Sequence, residues 1–497
     1  MSKKVIIIGS GLGGLTCGVV LAKNGYDVTV LEQGAQVGGC LQCFERRGAR
    51  FETGMHFIGS AAKGQTLDRL LRYLEVEPDI TLSQLDPTGY EVVSLEGQHF
   101  AFANGREPFI EQMSHYFPRQ RDNLVRYYDL IERVAGASSL HSLKYAESDA
   151  VVNMEYQLRS INEVIDSLVT DPLLAKVLVG NLPLYAAERD KTPFSTHAFI
   201  MDFYNQSAYR IAGGSDAVAT SLVKTIGRYG GRVLTRSKVT RIVCDETHAV
   251  GVEVGDTFLP ADIVISDAHP MRTLELLDTK LIRPAFRARV NAIPQTVGGF
   301  ALYLHFKDGA VPYMNHNFYG YNDGTPWDCE HYDAQTWPKG YLYMHLCHEP
   351  QPKYAKTAVV LSYMQMDDVR RWMGTRVGYR GADYEAFKQE KAERLLDTLE
   401  RDFPHLRNQI QHYYTSTPLT YLDYTGTEGG SMYGIAKDVT MGAACRVPHR
   451  TKVPNVLQTG QNINSHGILG VIVGTIVTCS ELLTVKVIYD QIIKASE

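Results

Sequence analysis

The apolar and polar positions of the first 32 residues predict a strand–helix–strand unit. Residues 3–8 form an apolar, β-branched run, short enough to be a strand buried on both faces. A helical pattern covers residues 15–23, and the Asn24-Gly25 pair that follows is typical of a helix C-terminus. Residues 27–31 form a second apolar strand that leads to Glu32. Two parallel strands joined by a helix are therefore expected at the start of the fold.

After this unit the spacing of apolar positions changes. Residues 64–204 show mostly helical spacing, for example over 110–134 and 161–179. Short alternating strands follow over residues 232–266, where the pattern again suits a nucleotide-binding domain. We therefore predict that the helical block is inserted into the first domain.

A second inserted block is predicted over residues 270–404. It mixes apolar strands with a charged amphipathic helix over residues 384–402. Two aromatic stretches that are rich in Gly and Asp, 318–321 and 327–337, are predicted as long loops. After a short apolar strand, a final helix is predicted from 467 to about 494.

The turn after the first strand carries a glycine pattern that suits a dinucleotide. Gly9, Gly11 and Gly14 have the spacing Gly-x-Gly-x-x-Gly. The first glycine makes the tight turn, the second lets backbone approach a pyrophosphate, and the third lets the helix pack on the strand. The helix N-terminus offers unpaired N–H groups and a partial positive charge to phosphates. Glu32 is placed to bind a ribose and argues against a 2′-phosphate, but this pattern alone leaves FAD and NAD open.

Two further regions suit a flat, electron-rich ligand. Residues 51–59 combine glycines, aromatic residues and His56, which fits a bend against a flat ring and also an ordinary surface loop. The helix expected at Gly467 begins directly after a strand, so its N-terminus is a second candidate site for an anion or an electron-rich ring. The segment Gly213-Gly214-Ser215 lacks the spacing of a second dinucleotide fingerprint. A separate NADPH domain is therefore not expected.

Composition indicates a folded protein of about two domains. The 497 residues exceed what one hydrophobic core usually supports. Hydrophobic residues make up 44% of the chain and charged residues 21%, as in ordinary globular proteins. The net charge of −5 argues against nucleic-acid binding. The 29 Tyr residues suit a large apolar cavity, although they also suit an ordinary core.

The eight cysteines include one close pair, Cys40 and Cys43. Without a second pair or a closely spaced pair of histidines, we expect no metal site, and a redox dithiol is left open. No apolar run is long enough to cross a bilayer, and the first predicted strand leaves no room for a signal peptide. We therefore expect a cytoplasmic protein with reduced thiols, whose contact with a membrane is at most peripheral.

Several blocks of the chain together resemble the FAD-dependent phytoene desaturase, carotenoid isomerase and retinol saturase family of the amine oxidase superfamily. These blocks are 9–14 with Glu32, 38–40, 52–59, 213–215, 261–266, 416–420 and 459–470. The resemblance implies an α/β fold, in which a Rossmann-like FAD-binding domain of the GR2 or amine-oxidase type carries an inserted α+β substrate domain. We expect a discontinuous FAD-binding domain and a substrate-binding, helical domain. Their predicted segments are, respectively, 1–75, 205–275 and 410–497, and 76–204 and 276–409.

The resemblance also implies one extended, non-covalently bound FAD. The residues that it assigns to cofactor binding are Gly9, Ser10, Gly11, Leu12, Gly13, Gly14, Glu32, Gln33, Gly39, Cys40, Gly54, Met55, His56, Val239, Gly460, Gln461, Ile468, Leu469 and Gly470. His56 is the first candidate for a proton donor near the flavin ring because histidine titrates near neutral pH, and a structural histidine is the alternative. Tyr433 and Glu428 are further catalytic candidates.

The function implied is that of an FAD-dependent oxidoreductase acting on C–C or C=C bonds of a long apolar polyene or isoprenoid. Retinol saturase-like reduction, carotenoid desaturation and cis–trans isomerisation all remain open. An apolar tunnel with aromatic walls is the pocket expected for such a substrate. A transient electron partner, NAD(P)H, a quinone or oxygen, would complete the cycle. Two other interpretations stay open, a flavin amine oxidase and a non-enzymatic lipid-binding flavoprotein.

Overall fold

A computed structural model describes residues 2–143 and 150–497, which form sixteen α-helices and twenty β-strands. In chain order the helices are α1 Leu12–Lys23, α2 Thr66–Tyr73, α3 Arg106–Tyr116, α4 Arg121–Gly136, α5 Ser139–Ser142, α6 Ala150–Leu158, α7 Ile161–Leu168, α8 Pro172–Leu178, α9 Phe194–Gln206, α10 Asp216–Arg228, α11 Pro270–Leu276, α12 Pro284–Asn291, α13 Ala382–Asp402, α14 Pro418–Thr425, α15 Gly467–Cys479 and α16 Val485–Ser496. The strands are β1 Lys4–Ile8, β2 Asp27–Leu31, β3 Cys43–Arg46, β4 Ala49–Glu52, β5 Ile58–Gly59, β6 Leu82–Gln84, β7 Glu91–Leu95, β8 Gln98–Phe102, β9 Ala208–Ile211, β10 Arg232–Leu234, β11 Val239–Cys244, β12 Ala249–Val254, β13 Thr257–Pro260, β14 Ile263–Ser266, β15 Gly298–Phe306, β16 Asn317–Tyr321, β17 Gly340–His345, β18 Thr357–Met364, β19 Ile410–Ser416 and β20 Val456–Gln458.

A parallel five-stranded sheet, in the order β10-β2-β1-β14-β20, contains the predicted strand–helix–strand unit. Its central strand β1 is apolar from Val5 to Ile8 because both faces of the sheet are covered there. Val5 and Ile7 join the core beneath α1, α10 and α15, whereas Ile6 and Ile8 join a separate core on the opposite face. The α/β fold class predicted from the sequence is confirmed.

The glycines of the first turn are needed for the tight packing of α1 against β1. Gly9 has a φ of +96°, which favours glycine, and a Cβ added at Gly14 would lie 2.1 Å from the carbonyl oxygen of Gly9. A side chain at Gly14 would therefore push the helix away from the strand.

A second, mixed sheet of seven strands has the order β19-β15-β18-β17-β16-β7-β8, and only the β16–β7 pair is parallel. Successive side chains of β15 enter different cores: Phe300 and Leu302 pack with α13 on one face. Ala301 and Tyr303 face the core formed with α4, α8 and α9 on the other. This second face also forms one wall of the candidate site.

Two local predictions were wrong. Residues 318–321 lie in β16 rather than in a loop. The glycine in this stretch serves packing and not a turn, since the ring of Tyr341 lies against Gly320 and a Cβ there would be 2.5 Å from it. The helix expected from 467 to about 494 is two helices, α15 and α16. The second helix has its own N-cap, Thr484, whose side chain accepts a hydrogen bond from the N–H of Val487.

The boundaries between the two predicted domains stay a prediction. Strand β19, which begins at Ile410, pairs with β15 of the seven-stranded sheet. The strands of the five-stranded sheet come from residues 4–31, 232–234, 263–266 and 456–458. Within the described residues, no helix combines the length and the apolar character that crossing a membrane requires.

Candidate functional site

A cavity of about 680 Å³ is lined by residues from both large sheets. On one side are the carboxyl ends of four parallel strands, where Gly9, Glu32, Asp267 and Gly460 follow β1, β2, β14 and β20. This is the edge where open parallel sheets bind their ligands. On the other side are side chains from β17, β18, α9 and α14. The volume is that of a small-molecule or cofactor site.

A floor of glycines covers the part of the cavity next to α1. A Cβ at Gly13 would lie 2.9 Å from the backbone of Gly460, and a Cβ at Gly39 would lie 3.4 Å from Cα of Gly11. A Cβ at Gly54 would meet Cys40 at 3.0 Å. Four separate stretches of backbone therefore approach closely here, which places N–H groups and the start of α1 at the cavity, where they can bind an anion.

Glu32 lies beside this floor at the end of β2. Its Oε2 accepts hydrogen bonds from the backbone N–H and the hydroxyl of Ser10, at 3.0 and 2.6 Å, and its Oε1 accepts one from the N–H of Gly34 at 2.6 Å. The carboxylate is thus held at the rim of the cavity, next to Gln33 and Val239. This position suits the predicted contact with a ribose.

Asp267 is a lining residue that the sequence analysis did not single out. Its carboxylate lies against the first turn of α1: a Cβ at Gly11 or Gly13 would meet its oxygens at 2.5 and 2.4 Å. The pKa of Asp267 is raised to about 7, because burial and the charge of Glu32 together outweigh the opposing effect of the N–H groups of Gly14 and Gly11. A negatively charged group of the chain itself therefore lies where phosphate binding is predicted.

The N-terminus of α15 lines the cavity through Ile468, Leu469 and Gly470. Its N-cap His466 packs against Tyr433, with ring centroids 4.7 Å apart and ring planes tilted by 43°. Burial and the neighbouring Lys437 lower the pKa of His466 to about 4, and burial lowers that of Lys437 to about 8. A helix N-terminus thus lines this end of the cavity, and the amine of Lys437 lies near its N-cap; both favour negative charge there.

The remaining wall is apolar and aromatic. Its members come from the seven-stranded sheet, from α9 and from the segments near α14, and they are Leu184, Phe199, Ile200, Phe203, Tyr204, Leu342, Met344, Leu361, Tyr421 and Met432. Few polar groups interrupt them, so this part of the cavity would hold an extended hydrocarbon and keep water away from it.

His56 faces the cavity between the glycine floor and the apolar wall. The residue is 7% exposed, and neither of its ring nitrogens has a hydrogen-bond partner among the described residues. Its Nδ1 lies 3.5 Å from Oε2 of the equally buried Glu52, which is the distance of a loose ion pair rather than of a well-formed hydrogen bond. The carboxylate of Glu52 thus lies on the Nδ1 side of the ring, and Nε2 has neither a hydrogen bond nor an ion pair among the described residues.

Most of the predicted site residues line this one cavity, and two do not. The lining includes every predicted cofactor-binding residue except Gly14, whose place is the helix–strand contact. Of the further catalytic candidates, Tyr433 lines the cavity and donates its hydroxyl to the carbonyl of Pro183 at 3.0 Å. Glu428 lies outside the lining and pairs with Arg272 at 3.1 Å. The individual roles stay predictions.

The close pair of cysteines does not form a disulfide. All eight cysteines of the chain are free, and burial raises the pKa of both Cys40 and Cys43 to about 11. Since the thiolate is the reactive form, both groups are poor nucleophiles in this environment.

The residues fit a flavin dinucleotide. The glycine floor offers a cradle that any Cβ would obstruct, Glu32 stands beside it, and the N-terminus of α15 meets the same cavity. His56 and the apolar wall lie where a substrate could meet the cofactor.

Comparison with known proteins agrees with this geometry. The sequence model for flavin containing amine oxidoreductases matches residues 12–474. The all-trans-retinol 13,14-reductase of Rattus norvegicus is 28% identical over 98% of this chain and 86% of its own length. The lycopene-forming phytoene desaturase of a Paracoccus strain is 23% identical over 91% of each chain.

Among solved structures, an oxidoreductase from Methanosarcina mazei superposes with a TM-score of 0.66 at 16% identity, over 96% of this chain and 100% of its own. Because the family match covers most of the sequence, the chain belongs to the flavin-containing amine oxidoreductase family.

Proposed function

We propose that this protein is an FAD-dependent oxidoreductase that acts on a C–C or C=C bond of a long apolar polyene or isoprenoid. The observation that carries this proposal is the single cavity that joins a glycine cradle to an extended apolar wall, with His56 between them. The names of the relatives support the substrate class, since one reduces retinol and another desaturates phytoene. Reduction of a retinoid-like double bond is the favoured direction because the retinol reductase is similar along nearly the whole chain.

FAD would lie with its pyrophosphate at the glycine floor, its adenosine near Glu32 and Val239, and its ring near Gly54, Met55 and His56. When bound, the flavin supplies hydride transfer to or from carbon. The N-terminus of α15 would stabilise negative charge on the ring. The aromatic wall positions the chain of the substrate and excludes water, while His56 holds or moves a proton at Nε2.

The other candidates receive narrower roles. Tyr433 packs against His466 and forms the wall beside the ring; burial raises the pKa of its hydroxyl well above the ordinary value, so it serves better as a hydrogen-bond donor than as a base. Glu428 would act through its ion pair with Arg272, which lines the cavity. The proposal also includes a transient electron partner, peripheral contact with a membrane, a cytoplasmic location and the division into two domains.

The function is tested by reducing the FAD-loaded protein anaerobically with light and adding candidate substrates. We expect all-trans-retinol or a carotenoid to restore the absorbance of oxidised flavin and to yield a product heavier by two hydrogens. In a parallel experiment, small amines are added to the protein that holds oxidised flavin. Bleaching of the oxidised flavin by an amine, with no reoxidation by any polyene, would favour an amine oxidase and contradict the proposal.

The position of Asp267 leads to a prediction about cofactor affinity. A pyrophosphate that enters the first turn of α1 meets the charge of Asp267, so Asp267→Asn is expected to lower the Kd for FAD roughly tenfold at pH 8, or about 1.4 kcal/mol. Because the pKa of Asp267 lies at about 7, its protonation between pH 8 and pH 6 should tighten binding by the unaltered protein. The quenching of flavin fluorescence measures both values.

The asparagine variant also separates Asp267 from other groups that titrate at the cavity. Lys437, with a pKa of about 8, gains charge over the same range and would favour an anion in both proteins. Asp267→Asn should therefore retain only a small part of the pH dependence. Equal Kd values and equal pH dependence for the two proteins would contradict this account of Asp267.

A further inference from the structure

We propose that Glu52 positions His56 and fixes its tautomer, in a buried group in which the charge of Arg210 favours the carboxylate of Glu52. This inference rests on the proposed function for its catalytic consequence, but its geometry stands independently. Glu52 is not itself part of the cavity lining. It would act on a substrate only through the imidazole of His56, as a positioning residue.

The local fold brings Glu52 and His56 together. Glu52 is the last residue of β4, and the loop after it turns back because Thr53 bonds to the carbonyl of Gln42 through both its N–H and its hydroxyl, at 3.2 and 2.8 Å. Gly54 packs against Cys40 with no room for a side chain. The turn returns His56 to Glu52, with 3.5 Å between Nδ1 and Oε2.

Arg210 places a buried positive charge behind this pair. The residue is 1% exposed, and its guanidinium donates to the carbonyl of His56 at 3.2 Å and to Oδ1 of Asn317 at 2.8 Å. Its Nε has no hydrogen-bond partner among the described residues. A guanidinium is always charged, so the site contains a fixed cation that favours a carboxylate nearby.

The surroundings of Glu52 shift its pKa in opposite directions. Burial raises the pKa of Glu52, whereas His56, Arg210 and the backbone N–H of Ser215 lower it. The thiols of Cys43 and Cys347 also face it, and burial raises the pKa of each, so they stay neutral. Ser215 belongs to the Gly213-Gly214-Ser215 turn, so this turn contributes to the surroundings of Glu52 although it lacks the spacing of a dinucleotide fingerprint.

The consequence for His56 concerns which nitrogen carries the proton. A carboxylate at Nδ1 holds a proton there, as in other carboxylate–histidine pairs, and leaves Nε2 for the cavity. In the saturation of a C=C bond, bound flavin would supply a hydride to one carbon, and the Nε2 proton of the imidazolium would go to its neighbour. One hydride and one proton, which together are two electrons and two protons, account for the two new C–H bonds, and His56 would be left neutral with its proton on Nδ1.

The first test needs no substrate. Nitrogen NMR of the FAD-loaded protein with ¹⁵N-labelled histidine, with the His56 signals assigned by their loss in His56→Gln, should show neutral His56 protonated at Nδ1. A proton on Nε2 instead would overturn the proposal, whatever the protein is found to reduce. The tautomer is measured on the unaltered chain, and the His56→Gln variant serves only to assign the signals.

The second test measures the rate at which polyene reoxidises the photoreduced flavin in Glu52→Gln and Glu52→Asp. Loss of the carboxylate should lower the limiting rate by about ten- to a hundredfold with little change in the half-saturating polyene concentration, and Asp should restore part of the rate. An unchanged rate in Glu52→Gln would overturn the proposal. If no polyene reacts with the unaltered protein, the proposed function fails, and the NMR result still decides the role of Glu52.

Discussion

Gly13→Ala is expected to weaken FAD binding roughly ten- to a hundredfold, because an added methyl group costs about 1–3 kcal/mol in a site this tightly packed. Its Cβ would lie 2.4 Å from Oδ1 of Asp267 and 2.9 Å from the backbone of Gly460. The Asp267 side chain can move aside, but the backbone of Gly460 cannot move without displacing the end of β20. The start of α1 and the strand end would separate, and the cradle for the pyrophosphate would lose its shape.

Gly227→Ala is the matched control for this variant. Gly227 lies in α10, and a Cβ there would meet no atom within 4 Å. Alanine favours a helix over glycine, so FAD affinity should be unchanged and thermal stability equal or slightly higher. Titration of each apoprotein with FAD, followed by flavin fluorescence, measures the affinities. Equal Kd values for the Gly13 and Gly227 variants would show that the glycine floor does not hold the cofactor.

His56→Gln is expected to slow polyene-dependent reoxidation of reduced flavin by about a hundred- to ten-thousandfold, the usual contribution of a positioned acid or base. Glutamine is similar in size and polar, but it cannot deliver a proton at neutral pH. The predicted cofactor contacts at Gly54 and Met55 would remain, so the FAD content and the flavin absorbance spectrum should be unchanged. Anaerobic stopped-flow absorbance with all-trans-retinol measures the rate.

His248→Gln separates a specific effect from a general effect of losing a histidine. His248 lies in the exposed turn between β11 and β12, with a side chain that is 49% exposed and close to Asp245. Its replacement should leave the reoxidation rate unchanged. A His56→Gln protein that reoxidises as fast as the unaltered chain would remove His56 from the catalytic account and leave it a structural residue.

The first strand–helix–strand unit could be predicted because its signals are local. Val5, Ile6, Ile7 and Ile8 alternate between two cores, so β1 is apolar after Lys4, and the glycine spacing marks the turn that follows. The predicted start of the last region at Gly467 also matches the start of α15, since a strand followed by glycine signals a helix N-terminus. Such short-range patterns need no knowledge of the tertiary contacts.

The features that were missed depend on contacts between distant parts of the chain. Asp267 reaches the first turn of α1 only because β14 pairs with β1. The two strands are far apart in the sequence: Asp262, just before β14, accepts a hydrogen bond from the N–H of Lys4, 258 residues earlier. Glu52 gains its importance from Arg210, which lies on a different strand. Gly320 in β16 favours a loop by its residue type, yet a glycine is needed in this strand because the ring of Tyr341 on the neighbouring strand packs against it.

The central claim is that one extended flavin dinucleotide lies between the N-termini of α1 and α15, with its ring beside His56. Electron density from crystals grown with FAD tests this claim most directly. The account predicts density for the pyrophosphate at the Gly11–Gly13 turn and Gly460, the ring against residues 54–56, and a displaced Asp267 carboxylate. Density for FAD elsewhere, or an Asp267 side chain unmoved in the first turn of α1 with FAD bound, would contradict it.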